Sequence, residues 1–248
     1  MKKLNYKSIL PAATLLLLAA CTKNIVDETP RQSDRGQYAS VQLYNAAIGT
    51  NRNILYVDGV PVNSIPFVYT STAFTGSSVT YAVSPGTRAF LIRDTLTATT
   101  QVPLTFNNSL QPNTHYTIFT YDTLTSVQQL TVAAPYQTPP RDTTVRVRFA
   151  HLAYQKAGAP GNVDIFSKLR NEKIFSNIAF KAVTDYVPFA SRRSDTLIVR
   201  PAGVSNVDLA QSVVSFSDQR FYTLVFRGRF NETAAASYPR VLATFLNY

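Results

Sequence analysis

One thiol, two imidazoles and fourteen carboxylates are the groups in this sequence that could do covalent or acid–base chemistry. The imidazoles, His115 and His151, lie far apart, whereas a zinc centre needs several His or acidic ligands together. His151 closes an alternating segment, VRVRFAH, and is expected to hydrogen-bond Asp164 and pin the loop that follows. His115 comes just after Gln111-Pro112-Asn113 and is expected at a turn where a strand starts. Asp58 and Asp164 are the best-placed carboxylates, but a glycosidase pair must face one cleft with its carboxyls about 5–10 Å apart. Asp58 is better explained by the turn it forms with Gly59. The phosphate-cradling G-x-x-x-x-G-K, the metal-binding H-E-x-x-H and the nucleophile turn G-x-S-x-G do not occur. No catalytic residue, metal or cofactor is therefore expected.

Two surface chemistries remain. Thr95, Thr123, Thr143 and Thr196 each follow an Asp and precede a Leu or Thr. That tripeptide resembles the O-glycosylation acceptor of Bacteroidota-type bacteria, which needs only a hydroxyl presented on an exposed turn. Turn-forming Asp followed by strand-starting Thr accounts for the same steps. The second chemistry is electrostatic. The formal net charge is +10, and three of the lysines precede Cys21, which leaves an excess of +7. Residues 22–140 hold six basic and six acidic groups, so the whole excess falls in 141–248. Arg192, Arg193, Arg227 and Arg229 are the candidate anion-binding set there. No basic run exceeds the pair Arg192-Arg193, and a solvated basic face is the alternative. Nucleic acid is not an expected partner.

The thiol answers a different question. MKKLNYK is basic and ILPAATLLLLAA, ending at Ala20, is uncharged and too short for a bilayer span, which takes about 20 apolar residues. This is the pattern of a secretory signal. Leu18-Ala19-Ala20-Cys21 resembles the lipobox of bacterial lipoproteins. That resemblance implies diacylglycerol on the Cys21 sulfur, cleavage before it and acylation of the new amine. With roughly 0.8 kcal/mol per buried CH₂, three chains anchor stably. A single Cys rules out disulfides and cysteine metal sites. Thr22 in place of the Asp that retains lipoproteins at the inner membrane points to the outer membrane, on its surface or its periplasmic face.

The elements that must carry these groups repeat. The order VQLYNAA, NILYVDG, SIPF, RAFLIRD, VPLTF, HYTIFTYD reappears about one hundred residues later as VRFAHLA, NVDIFSK, NIAF, DTLIVRP, SVVSF, FYTLVFRG. Most pieces read as strands. VRVRF places Val145, Val147 and Phe149 on one face and Arg146 and Arg148 on the other, a half-buried pattern with one wet face. Asp58-Gly59 marks a hairpin, and SPGT, QPN and RPAG mark further turns. Residues 135–143, with three prolines nearby in APYQTPPRD, read as a linker. The expected organisation is a signal at 1–20, a lipidated tether at 21–37, and all-β domains at 38–134 and 144–248. Each is an antiparallel, immunoglobulin-like β-sandwich.

The second unit carries VRVRFAHLAYQKAGAPGNVDIF, then NIAFKAVTDYVPF, LIVRPAG and FYTLVFRG. These stretches resemble the domain-of-unknown-function 4397 family, found as tandem copies in bacterial secreted proteins and lipoproteins. The first unit departs where Asn45 replaces His151. The resemblance implies a fold module and no reaction. The expectation is a lipid-anchored, non-enzymatic envelope protein that acts as a binding or scaffold element. Its partner is the membrane, through the lipid, with a glycan or an envelope protein as ligand. Binding of a glycan or anionic polymer by the basic second unit is the alternative.

Overall fold

β-Branched and aromatic runs separated by Gly, Pro and Asn turns give sixteen strands in the computed structural model, which describes residues 36–70, 79–135, 137–232 and 237–248. No α-helix occurs among the described residues. The first half holds β1 (Ala39–Asn45), β2 (Asn53–Val57), β3 (Val60–Pro61), β4 (Tyr81–Val83), β5 (Gly86–Asp94), β6 (Leu104–Leu110), β7 (Thr114–Tyr121) and β8 (Gln128–Pro135). The second holds β9 (Thr144–His151), β10 (Val163–Ser167), β11 (Glu172–Ile178), β12 (Val187–Ala190), β13 (Ser194–Pro201), β14 (Ala210–Ser215), β15 (Phe221–Arg227) and β16 (Val241–Leu246).

The halves share one topology. Sheets β4-β1-β7-β8 and β3-β2-β5-β6 in the first half correspond strand for strand to β12-β9-β15-β16 and β11-β10-β13-β14 in the second. One pair in each half is parallel, β1 with β7 and β9 with β15, while the other pairs are antiparallel. The chain leaves β1 for the other sheet, returns as β4 antiparallel to it, crosses again through β5 and β6, and returns as β7 running the same way as β1. Registers match as well: Val41 faces Tyr116, and Val147 faces Tyr222. The β2–β3 hairpin turns on Asp58 and Gly59, with φ values of 50° and 81° that suit a two-residue turn of the mirror-image type. Two of the sequence matches shift. Leu91 and Ile198 are equivalent through β2 and β10 only if Asn53 matches Val163, one residue off the sequence alignment. Phe106 faces Phe90, and Ser212 faces the equivalent Leu197, so the match of VPLTF to SVVSF slips by four residues.

Inside each half, alternate residues of both sheets meet. Val41, Leu43, Leu55, Phe90, Ile92 and Ile118 fill the first core; Val147, Phe149, Ile165, Leu197, Val199 and Leu224 fill the second. A third cluster joins the halves: Tyr44, Ala46, Phe119 and Tyr121 meet Ala150, Leu152, Val225 and Phe245. The strand faces opposite the two cores are therefore buried against each other, and the sheets stack in four layers. This corrects the expected wet face of VRVRF. Arg148 is 1 % exposed, donating from Nε to Thr223 Oγ1 at 2.9 Å and from a terminal nitrogen to Thr117 Oγ1 of the first half at 2.7 Å, over the ring of Tyr186. Alternation predicts two faces, but only packing decides whether the second one meets water.

The seam also corrects both imidazoles. His115 is not a turn residue. It lies buried inside β7, its Nε2 3.3 Å from Gln42 Oε1, beside the ring of Tyr248. His151 does not reach Asp164. Its Nε2 donates to Gly161 O at 3.1 Å, and its ring sits among Phe180, Phe226 and Phe230. Asp164 instead accepts from the amides of Asn177 and Gly203 and pairs with Lys173 at 2.8 Å. Burial pushes His115 down to about 3, with the Arg148 charge acting in the same direction, and pushes His151 down to about 4 against the Gly161 bond.

Two outcomes follow for stability. Arg148 lacks a carboxylate partner among the described residues, so its aliphatic stem is expected to matter more than its charge. Arg148→Met should stay within about 1 kcal/mol of the parent in urea unfolding, and Arg148→Ala should lose about 2–4 kcal/mol. Equal losses would mean that the threonine bonds hold the seam. Second, both imidazoles are neutral when folded and protonate more readily when unfolded, so stability is complete above about 6.5 and declines as pH falls toward 4. His115→Gln should flatten the fall in urea midpoint between pH 7 and pH 4.5; an unchanged slope would exclude His115 as its source.

Candidate functional site

β15 ends at Arg227 because Gly228, at φ +92°, turns the backbone and brings it against the carbonyl of Pro239. A Cβ on Gly228 would lie 1.9 Å from that oxygen, so only glycine fits. The turn separates two arginines that an unbroken strand would place on one face. Arg227 points into the seam, where its Nε donates to Tyr44 Oη at 3.1 Å and its guanidinium lies 5.0 Å from the Tyr69 ring. Tyr69 meets Tyr238 edge-on at 5.4 Å, and Arg229 lies 5.9 Å from the Tyr238 ring. Tyr44 and Tyr69 of the first half and Arg227, Arg229 and Tyr238 of the second thus meet along one end of the seam.

Beyond Arg229 opens a hollow of about 190 Å³ lined by Tyr154, Gln155, Lys156, Arg229, Asn231 and Glu232. The strand ends build it. Tyr154 bridges to Arg229, the amide of Tyr154 donates to Gly228 O, and the amide of Phe230 donates to Tyr154 O at 2.7 Å. Arg229 holds Glu232 at 3.1 Å. Two cations against one carboxylate leave the lining basic. Burial pushes the Tyr44 and Tyr69 hydroxyls up in pKa, while the Arg227 charge opposes the rise in both. Tyr69 Oη is buried beside the Arg227 guanidinium.

The four arginines singled out from sequence do not form one surface. Arg227 and Arg229 sit at the seam. Arg192 and Arg193 are exposed in the connection after β12, and the Arg192 amide donates to Phe216 O near the start of β15. A seven-residue strand, roughly 20 Å long, separates the two pairs. Arg192 also holds Asp218 at 2.6 Å. Of the Asp-Thr threonines, Thr95 and Thr143 are exposed outside strands, Thr196 is half-buried within β13, and Thr123 is half-buried beside Ile48. Cys21 lies outside the described residues. Asp58 accepts from the Ala89 amide and pairs with Arg88, which fixes the hairpin and places it apart in role from Asp164. Lys156, Tyr44, Tyr69 and Tyr238 were not singled out from sequence. The available signal was Tyr44, a large ring on the supposedly wet side of VQLYN.

No family model and no curated protein matches the chain. Among solved structures it is similar to a family CBM26 carbohydrate-binding module of Eubacterium rectale Amy13K, in complex with maltoheptaose. The identity is 13 %, covering 84 % of this chain and 95 % of that one, at a TM-score of 0.26. Family 41 carbohydrate-binding modules from streptococcal virulence factors, described for α-glucan recognition, align at 10 % identity over 75 % of this chain and 92 % of that one, with a TM-score of 0.25. Scores of this size establish no common fold. The class rests on strand topology: an all-β protein of two equivalent four-on-four sandwiches.

Gly228→Ala is expected to cost at least about 2 kcal/mol through overpacking and a forbidden φ. Gly59→Ala, whose added Cβ meets no atom within 4 Å, should cost less although it shares the positive φ. Thermal denaturation of the two variants checks the order.

Proposed function

We propose that this protein is a non-catalytic binding element of a bacterial envelope, held there by acyl chains on Cys21 and projecting its two fused sandwiches as one body. The observation that carries the reading is how the reactive groups are spent. Asp94 accepts from Arg52, the Leu96 amide and Thr99; Asp164 accepts from two amides and Lys173; Asp195 accepts from Ser167 and the Leu169 amide. Both imidazoles are buried in the framework, His115 at the seam and His151 among phenylalanines. These groups serve as turn pins and seam fillers, and the exposed ends of the body are left for recognition. The outer membrane is the proposed location, with an envelope protein or a glycan as partner. Thr95 and Thr143, being exposed beside Asp-anchored turns, are the better placed of the four threonines for O-glycan.

A second reading, binding of a glycan or anionic polymer through the basic second half, is favoured by the position of Lys156 and Arg229 in the lining of an open hollow. Arg192 and Arg193, at the far end of β15, are assigned no part in it.

Intact-mass and peptide spectrometry of the protein from its native host tests the main reading. The expected result is a chain beginning at a triacylated Cys21, with hexose-bearing peptides containing Thr95 or Thr143 and an unmodified Thr196. Cys21→Ser should release the protein from the membrane fraction. An unacylated, membrane-free wild type would remove the envelope anchor.

A further inference from the structure

Arg227, just before the turn that leads to the hollow, is held by tyrosines: its Nε donates to Tyr44 Oη and its guanidinium lies over the Tyr69 ring. It is 8 % exposed, and no carboxylate among the described residues pairs with it. A nearly buried guanidinium without an anion is costly, and buried charges are ordinarily paired.

The hollow beyond Arg229 has the make-up of a recognition site. Lys156 and Arg229 give positive charge, and Arg donors suit the in-plane lone pairs of a carboxylate or phosphate. Gln155 and Asn231 each offer both donor and acceptor atoms, and Glu232 offers acceptors, which suits a ligand with several hydroxyls. Tyr154 gives one apolar wall. A volume of about 190 Å³ is below the range of drug-sized pockets, about 300–1,000 Å³, and suits a single small ring.

We infer that the hollow beside the seam end, lined by Tyr154, Gln155, Lys156, Arg229, Asn231 and Glu232, binds an oxyanion-bearing sugar unit, a uronic acid or a sugar phosphate. This deepens the binding reading above and rests on it. Every side chain that lines it comes from the second half.

Calorimetric titration of the full chain with glucuronic acid, glucose 6-phosphate, glucose and inorganic phosphate tests the assignment. Glucuronic acid or glucose 6-phosphate should bind saturably and at least tenfold tighter than glucose. Raising salt from 0.05 to 0.5 M should weaken that binding severalfold. Lys156→Gln and Arg229→Gln should each weaken it at least tenfold without lowering the melting temperature of the free protein, and Arg192→Gln should leave it unchanged. Which charged sugar prevails separates the carboxylate from the phosphate source. Phosphate binding as tightly as glucose 6-phosphate would reduce the site to a bare anion site and overturn the sugar assignment. Equal affinity for glucose, indifference to both substitutions, or no heat from any ligand would overturn the site. Capture of native envelope polysaccharide by wild type and by the Lys156→Gln/Arg229→Gln variant alike would also overturn it, while leaving the binding-element reading intact.

Discussion

Everything in this molecule depends on the burial of both faces of β1, β7, β9 and β15. A strand has two sides, and a single sandwich uses one. Here the second side is used as well, through Tyr44, Phe119, Val225 and Phe245 at one level and Gln42, Thr117, Arg148 and Thr223 at another. The interface is built from equivalent sheets of two equivalent units, so it has the self-complementary logic of a symmetric dimer written into one chain. Unlike a true dimer, its two contributions can diverge, and they have: Gln42 stands where Arg148 stands, and Tyr44 where Ala150 stands.

That divergence explains the polar content of the seam. A hydrophobic seam would have sufficed for adhesion. Instead Gln42 accepts from Asn247, Asn247 accepts from Thr223, Thr223 accepts from Arg148, and Arg148 also reaches Thr117. Each bond is directional, so the network fixes how the sheets are set against each other where apolar contact alone would allow sliding. A precise setting matters at the seam's end, where Tyr44 and Tyr69 of one half must meet Arg227 of the other, the Tyr69 ring at 5.0 Å.

The duplication, the all-strand character and the Asp58-Gly59 hairpin were legible in the sequence because each rests on local chemistry: alternation, β-branching, turn residues and ordered recurrence. The shift of four residues at β6 and β14 was not, because register depends on what the partner strand places opposite, and Phe106 could be matched to Phe216 by type alone. The site was legible by half. Arg227 and Arg229 stood out by charge. Their separation from Arg192 did not, since four arginines within forty residues say nothing about which end of a strand they occupy. The error over Arg146 and Arg148 has the same root. Side chains of one kind, two residues apart on one face, end as half-buried and fully buried, because only one lies deep under the opposing sheet.

The shared seam has an evolutionary corollary. A freshly doubled gene can ordinarily lose either copy and return to its ancestor. With Arg148 holding a hydroxyl of the other copy, that retreat is closed. Deleting the leading half would strand a cation on a bare greasy sheet, and deleting the trailing half would expose Tyr44, Phe119 and Tyr121. The lineage is ratcheted: from then on the inherited unit is the pair.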